Sequence, residues 1–159
     1  MQNYAASLLI AVAYADPSKF PRFDALHANC EMFVEYPNMT CDTLYKELDT
    51  ELRSWADGDP SHGLIAVKEE SSVAPSYIWT TRTTPVKKYV DDQIFELSQN
   101  GTTCTVHARS RSQTMSVYDY DTNYCNMWNA LNYIGGMQNL SIKNCTYYPD
   151  VPADTCAIY

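Results

Sequence analysis

Six cysteines, no two closer than eleven residues, constrain this chain more than any other feature of its sequence. Zinc centres need close pairs such as Cys-x-x-Cys, and none of Cys30, Cys41, Cys104, Cys125, Cys145 and Cys156 has such a neighbour. The remaining use of an even set is a disulfide framework, which belongs to an oxidising compartment. Six oxidised cysteines allow fifteen pairings in general. The spacing favours local staples, Cys30–Cys41 and Cys145–Cys156, leaving Cys104–Cys125, each expected to contribute about 2–4 kcal/mol.

Two further features point to the same compartment. Asn38-Met39-Thr40, Asn100-Gly101-Thr102, Asn139-Leu140-Ser141 and Asn144-Cys145-Thr146 are N-glycosylation acceptors without proline in the middle. Ten asparagines in a chain with about a sixth Ser and Thr would supply roughly one or two by chance. Residues 1–15 carry an apolar run from Ala5 to Ala13, closed by Ala13-Tyr14-Ala15. That is the pattern of a cleaved signal peptide, and it is too short for a membrane span of roughly 20 residues. The expectation is a secreted, extracellular glycoprotein carrying N-linked glycans, with residues 16–159 as a single domain. A chain of this size buries about 68% of its unfolded surface, so it has a real core.

A net charge of −8 with no cationic cluster argues against nucleic acid and against anionic membrane surfaces. Tyrosine is the compositional outlier: there are thirteen, seven of them between Tyr118 and Tyr159. They serve either as half-buried sheet aromatics or as a contact surface, for which Tyr offers large area at low entropic cost.

Hydrophobic periodicity organises the chain. Phe20, Phe23, Leu26, Cys30 and Phe33–Val34 have helical spacing over 17–36. Leu44, Leu48, Leu52 and Trp55 define an amphipathic helix over 42–55, capped by Thr40 or Asp42 and stopped by Asp57-Gly58-Asp59-Pro60. Four strands follow, at 64–69, 77–83, 89–97 and 103–111, with Asn100-Gly101 as the hairpin turn between the last two. In the fourth, Cys104, Val106, Ala108 and Ser110 face one way, and Thr105, His107, Arg109 and Arg111 the other. A helix starts after Asp121, with Tyr124, Met127, Trp128, Leu131 and Ile134 on one stripe, and stops at Gly135-Gly136. The tail around Leu140 and Ile142 adds an edge strand. The fold class is therefore α+β: a two-layer sandwich of a four- or five-stranded antiparallel sheet covered by helices and stapled by disulfides.

Tyr77, Tyr89-Val90-Asp91-Asp92, Ala108-Arg109-Ser110-Arg111-Ser112 and Tyr118-Asp119-Tyr120-Asp121-Thr122-Asn123 together resemble the family known as domain of unknown function 1499. That family's pattern has a Tyr-led strand, an Asp-Asp strand, an Arg-Ser-x-Ser-Arg-like strand, and Asp-x-Gly-x-Asn opening a helix. Here Asp121 stands at the Gly position. The resemblance implies an α+β fold and an export setting, and it brings no catalytic residue with it.

Chemistry-bearing clusters are sparse. Asp91, Asp92, Arg109 and Arg111 lie on adjacent strands, where cross-strand ion pairs are a simpler expectation than an anion or sugar site. Asp119, Asp121 and Asn123 mimic a calcium loop, but its sixth and twelfth positions are Tyr124 and Ala130, and helix capping by Asp121 explains the trio. His27, His62 and His107 form no catalytic motif, His107 beside the arginines being the best polar cluster. No cofactor, metal or enzymatic activity is expected. The leading expectation is an interaction or structural glycoprotein, in its most specific form a self-assembling subunit of an extracellular fibre, coat or matrix, partnered by itself or by other extracellular proteins. The alternative is a binder of a small apolar ligand between sheet and helices, in a chamber lined by Trp79, Phe95 and Trp128. A hydrolase comes third, and would show a buried His or carboxylate of perturbed pKa in a cleft.

Overall fold

A computed structural model describes residues 16–158; the expected signal peptide lies outside the described residues. The strand signals are met and extended: β1 is Asn29–Pro37, β2 Leu64–Ser71, β3 Ser76–Thr83, β4 Val90–Asn100, β5 Thr103–Ser112 and β6 Gln138–Lys143. They form one antiparallel sheet of six strands in the order β2-β3-β4-β5-β1-β6, not four or five. Helices α1 (Cys41–Ser54) and α2 (Thr122–Ile134) cover one face, and a short α3 (Pro152–Thr155) follows β6.

The extra strand replaces the helix expected over 17–36. Cys30, Met32, Val34 and Tyr36 are buried in strict alternation, each at most 1% exposed. That period of two wins because β5 and β6 flank β1 and take up its backbone groups. The chain before it makes only a short 3₁₀ turn, Pro17–Lys19, and then lays Phe20 against Trp79, Tyr77 and Ile94 on the sheet's second face.

The main core lies between sheet and helices. Leu44, Leu48 and Leu52 of α1 are fully buried, as are Met127, Ala130 and Leu131 of α2, against Val34, Ile78, Phe95, Val106 and Ala108. Burying each large side chain is worth about 1.5–3 kcal/mol. The Thr40 hydroxyl accepts from Thr43 N–H and caps α1 as anticipated. Gly135 and Gly136 stop α2, with φ of 78° and 79°. The β4–β5 turn is centred on Gly101-Thr102, with Gly101 at φ 58°, the glycine-first geometry of a tight hairpin.

All six cysteines are bonded, but none of the local staples forms. The pairs are Cys30–Cys145, Cys41–Cys104 and Cys125–Cys156. Cys30 and Cys41 cannot meet because β1 runs extended between them, separating them by more than about 20 Å at ~3.3 Å per residue. Each bond instead joins neighbours in space: β1 to the segment after β6, the start of α1 to β5, and α2 to the C-terminal turn.

Candidate functional site

The two faces of the sheet use their polar residues differently. On the face away from the helices, His107 Nε2 lies 2.6 Å from Glu31, Arg109 donates to Glu96 at 2.8 Å, and Arg111 donates to Asp24 at 2.8 Å. The His107 ring stacks on Phe33 at 4.3 Å. Asp92 is on this face too, accepting from Trp79 Nε1, Lys68 and Gln113. The expected pairing of Asp91 and Asp92 with Arg109 and Arg111 therefore does not form. Asp92 stands opposite Arg111 in register, yet the guanidinium turns to Asp24, held there also by His27.

Asp91 points the other way, to the helix side, because β4 alternates Asp91, Gln93, Phe95 and Leu97 onto that face. Here the core becomes polar. Arg82 of β3, 2% exposed, donates from Nε to Asp59 at 2.5 Å and from its terminal nitrogen to Ser61 at 3.0 Å. Asp59 Oδ1 accepts from Ser61 N and Gly63 N, so a short loop wraps the guanidinium. Gly63 is required by that approach, since a Cβ there would stand 2.5 Å from the guanidinium carbon. Beside this pair, Asn126 of α2 donates to Asp91 at 2.9 Å, and Asn123 joins Ser110, Ser112 and Asp119. Burial pushes the Asp91 carboxyl above its ordinary value, against the lowering effect of bonds from Ser112 and Asn126 and of the nearby Arg82.

These residues close one side of a cavity of about 240 Å³. Asp91, Ser112 and Thr122 stand with Asp119 in its wall, Tyr89 lines it from the β3–β4 loop, and Met115, Tyr118 and Tyr120 from the segment after β5. The backbone turns sharply there, with Tyr120 and Asp121 at φ 51° and 69°. Asp121 occupies the N-cap position of α2 but its side chain makes no capping bond; Asp119 caps the helix instead, accepting from Asn123 N–H at 3.0 Å. Asn123 donates from its backbone and side-chain nitrogens to Asp119, and no group of three or more His, Cys, Asp or Glu placed to hold a metal ion occurs among the described residues.

The left-handed φ at Asp121 explains a glycine at this place in the Asp-x-Gly-x-Asn pattern. Burial and the Asp119 charge also raise the Asp121 carboxyl pKa. Asp121→Gly is expected to stabilise the protein by about 0.5–1 kcal/mol at neutral pH. A carboxyl whose folded pKa is raised penalises the fold above that pKa and ceases to do so as pH falls toward the unfolded value. The gain should therefore shrink between pH 7 and pH 4, as urea denaturation at the two values would measure; no gain at either pH would refute it.

The chamber expected between sheet and helices does not exist as drawn. Trp79 belongs to the cluster around Phe20 and Phe95 to the main core, on opposite faces of the sheet. Asp91 does meet the sign set for a hydrolase, a buried carboxyl of raised pKa in a cleft, yet among the described residues no histidine, cysteine or lysine lines that cleft.

The four sequon asparagines are exposed. Asn38, Asn139 and Asn144 also adopt left-handed φ of 60°, 50° and 54°, which Asn tolerates better than most residues. Asn139 and Asn144 donate to Glu35 and Glu31 at 2.6 and 2.9 Å. Among the described residues no helix is long and apolar enough to cross a membrane.

Residues 15–129 match the family model described as protein of unknown function, DUF1499. No curated protein and no solved structure matches the chain. Of the stretches that carry the family resemblance, Tyr89–Asp92, Ala108–Ser112 and Tyr118–Asn123 contribute to the cavity wall and its hydrogen-bond network, whereas Tyr77 lies on the sheet's other face.

Proposed function

The chain belongs to the DUF1499 family of proteins of unknown function, and since that membership brings no activity with it, we propose a secreted, N-glycosylated interaction glycoprotein whose contact surface is the Tyr- and Met-rimmed end of the sheet. The observation that carries this reading is a polarity of the domain. Met115, Val117, Tyr118 and Tyr120 are 56–74% exposed around the cavity mouth, with Tyr89 and Val86 beside them. Asn38 and Asn100 lie at the opposite end of β1, β4 and β5, about 30 Å away along the strands. Asn139 and Asn144 lie on and just after the edge strand β6. Glycans at Asn38, Asn100 and Asn139 would shield the far end of the sheet and the adjoining part of the β6 edge, whereas Asn144 lies toward the aromatic end, where Tyr147 packs on Tyr118. Exposed apolar patches of this kind mark association surfaces, and Tyr and Met are enriched there. The specific form of the proposal is self-assembly as a subunit of an extracellular fibre, coat or matrix.

The test is the size of the secreted protein with glycans intact, by light scattering with electron microscopy on the same sample. Wild type is expected to form regular assemblies, and the double variant Tyr118→Ser, Tyr120→Ser to lose them with its thermal midpoint within about 2 °C of wild type, because both side chains are exposed. A wild-type monomer at high concentration, with this patch still open to solvent, would overturn the proposal.

A further inference from the structure

Charge is unbalanced beneath the aromatic rim. Asp91 is 2% exposed and has no ion-pair partner among the described residues, its neighbours Ser112 and Asn126 being neutral donors. Its register partner Arg82 is the nearest guanidinium, and that group is held at 2.5 Å by Asp59. The one guanidinium near Asp91 is thus already paired with Asp59, and Asp119 adds a further carboxylate in the cavity wall. Among the described residues no lysine, arginine or histidine lines the cavity. A buried charge short of a counter-ion takes up a proton or a cation.

We propose that the cavity receives a protonated primary amine carried on an aliphatic chain, the chemistry of a lysine side chain, with Asp91 and Asp119 as counter-charges and Tyr89, Tyr118 and Tyr120 against the ammonium and its methylenes. Three observations select this class. Carboxylates in the wall repel an anion, and Asp119 already occupies the N-terminus of α2 that would otherwise attract one. Tyrosine faces attract cations and cover methylene groups equally well. A volume of about 240 Å³ lies below the range of drug-sized sites, ~300–1,000 Å³, and suits one side-chain-sized group. Binding requires Asp91 ionised. The groups that set its ionisation are Arg82 from β3, Ser112 from β5, Asn126 from α2 and Asp119 from the preceding loop. Affinity therefore falls as pH drops through the raised Asp91 pKa, and in that range binding releases a proton.

The proposal extends the contact-surface reading without depending on it. Titration calorimetry of the purified glycoprotein with n-butylammonium, and with neutral n-butanol as its near isostere, tests it. The ammonium is expected to bind at least tenfold tighter than the alcohol, with Asp91→Asn losing at least tenfold and Tyr118→Ala weakening binding several-fold. Should Asp91→Asn fail to fold, the exposed-rim variant and the pH series on wild type decide instead. Equal affinity for alcohol and ammonium, affinity unchanged by lowering the pH, or no binding of butylammonium overturns the proposal, whatever the assembly state. Adding butylammonium to the assembled protein separates the two sources: dissociation assigns the amine to a neighbouring subunit's lysine, and binding without dissociation assigns it to a free ligand.

Discussion

Arg82→Met is expected to lower the stability of the folded protein by about 3–5 kcal/mol, the cost of leaving a buried charge without its partner. The guanidinium is 2% exposed and Asp59 is 6% exposed. Methionine fills much of the same volume, so the loss is electrostatic and polar more than steric. The Asp59 carboxylate stays buried, still holding Ser61 N and Gly63 N but with no cation. The Asp91 carboxyl across the β3–β4 ladder loses the guanidinium that counteracts its desolvation, which raises its pKa further. A raised carboxyl pKa penalises the fold above that pKa and stops doing so as pH falls, so the damage is greatest at neutral to alkaline pH and smaller near pH 5. Asp59→Asn in the Arg82→Met background should recover much of the loss, because the amide keeps its acceptor oxygen and removes the stranded charge. Guanidinium denaturation of the two singles and the double, as a mutant cycle, measures the coupling. A single-variant loss below about 1 kcal/mol, or no recovery in the double, would show that the pair does not hold this corner of the core.

How far the fold was legible in the sequence follows from how local each signal is. Helix α1 and helix α2 carry their own stripes, caps and stops, and strands β2 to β5 their own alternation and turn residues. The segment before α1 satisfies two periods at once. Phe20, Phe23, Leu26, Cys30 and Phe33 fit a helix, whereas Cys30, Met32, Val34 and Tyr36 fit a strand. What decides is the open edge of β5 that β1 fills, a non-local fact that no window of sequence contains. The disulfide error descends from that one, since a strand holds Cys30 and Cys41 apart where a folded-back segment would bring them together. At the site, the motif residues Asp91, Ser110, Ser112, Asp119 and Asn123 were visible, but not the face on which they meet. Carrying the β4 alternation back from Phe95 through Gln93 would have put Asp91 inside. The Asp59–Arg82 pair had no signal at all, because a charged loop residue and a charged strand residue 23 positions apart read as solvent-facing until the loop is seen to close over the strand.

The disulfide between Cys30 and Cys145 offers the second large effect. Replacing both cysteines by serine is expected to cost about 4 kcal/mol. The chain between them spans 115 positions, but with Cys41–Cys104 intact the loop that is closed shortens to roughly 50 residues, which brings the entropic value near that of the other two bonds. The consequence is also local. Strand β6 has one neighbour, β1, and all of its residues except Ile142 are exposed. Few buried apolar contacts hold it there, so the covalent tie at Cys145 carries an unusual share of its attachment. Beyond it, Cys156 stays bonded to Cys125 in α2, which keeps the C-terminal turn docked when β6 loosens. Hydrogen exchange should therefore show β6 amides exchanging much faster in the double-serine variant, while amides of β4 and β5 at the sheet centre keep protection reduced only by the global loss. Equal protection of β6 with and without the bond would mean that backbone pairing alone holds the edge. A non-reducing digest reads the same connectivity directly: a Cys30 peptide joined to the Cys145 peptide agrees with it, and one joined to Cys41 would require β1 to give up its extended path between β5 and β6.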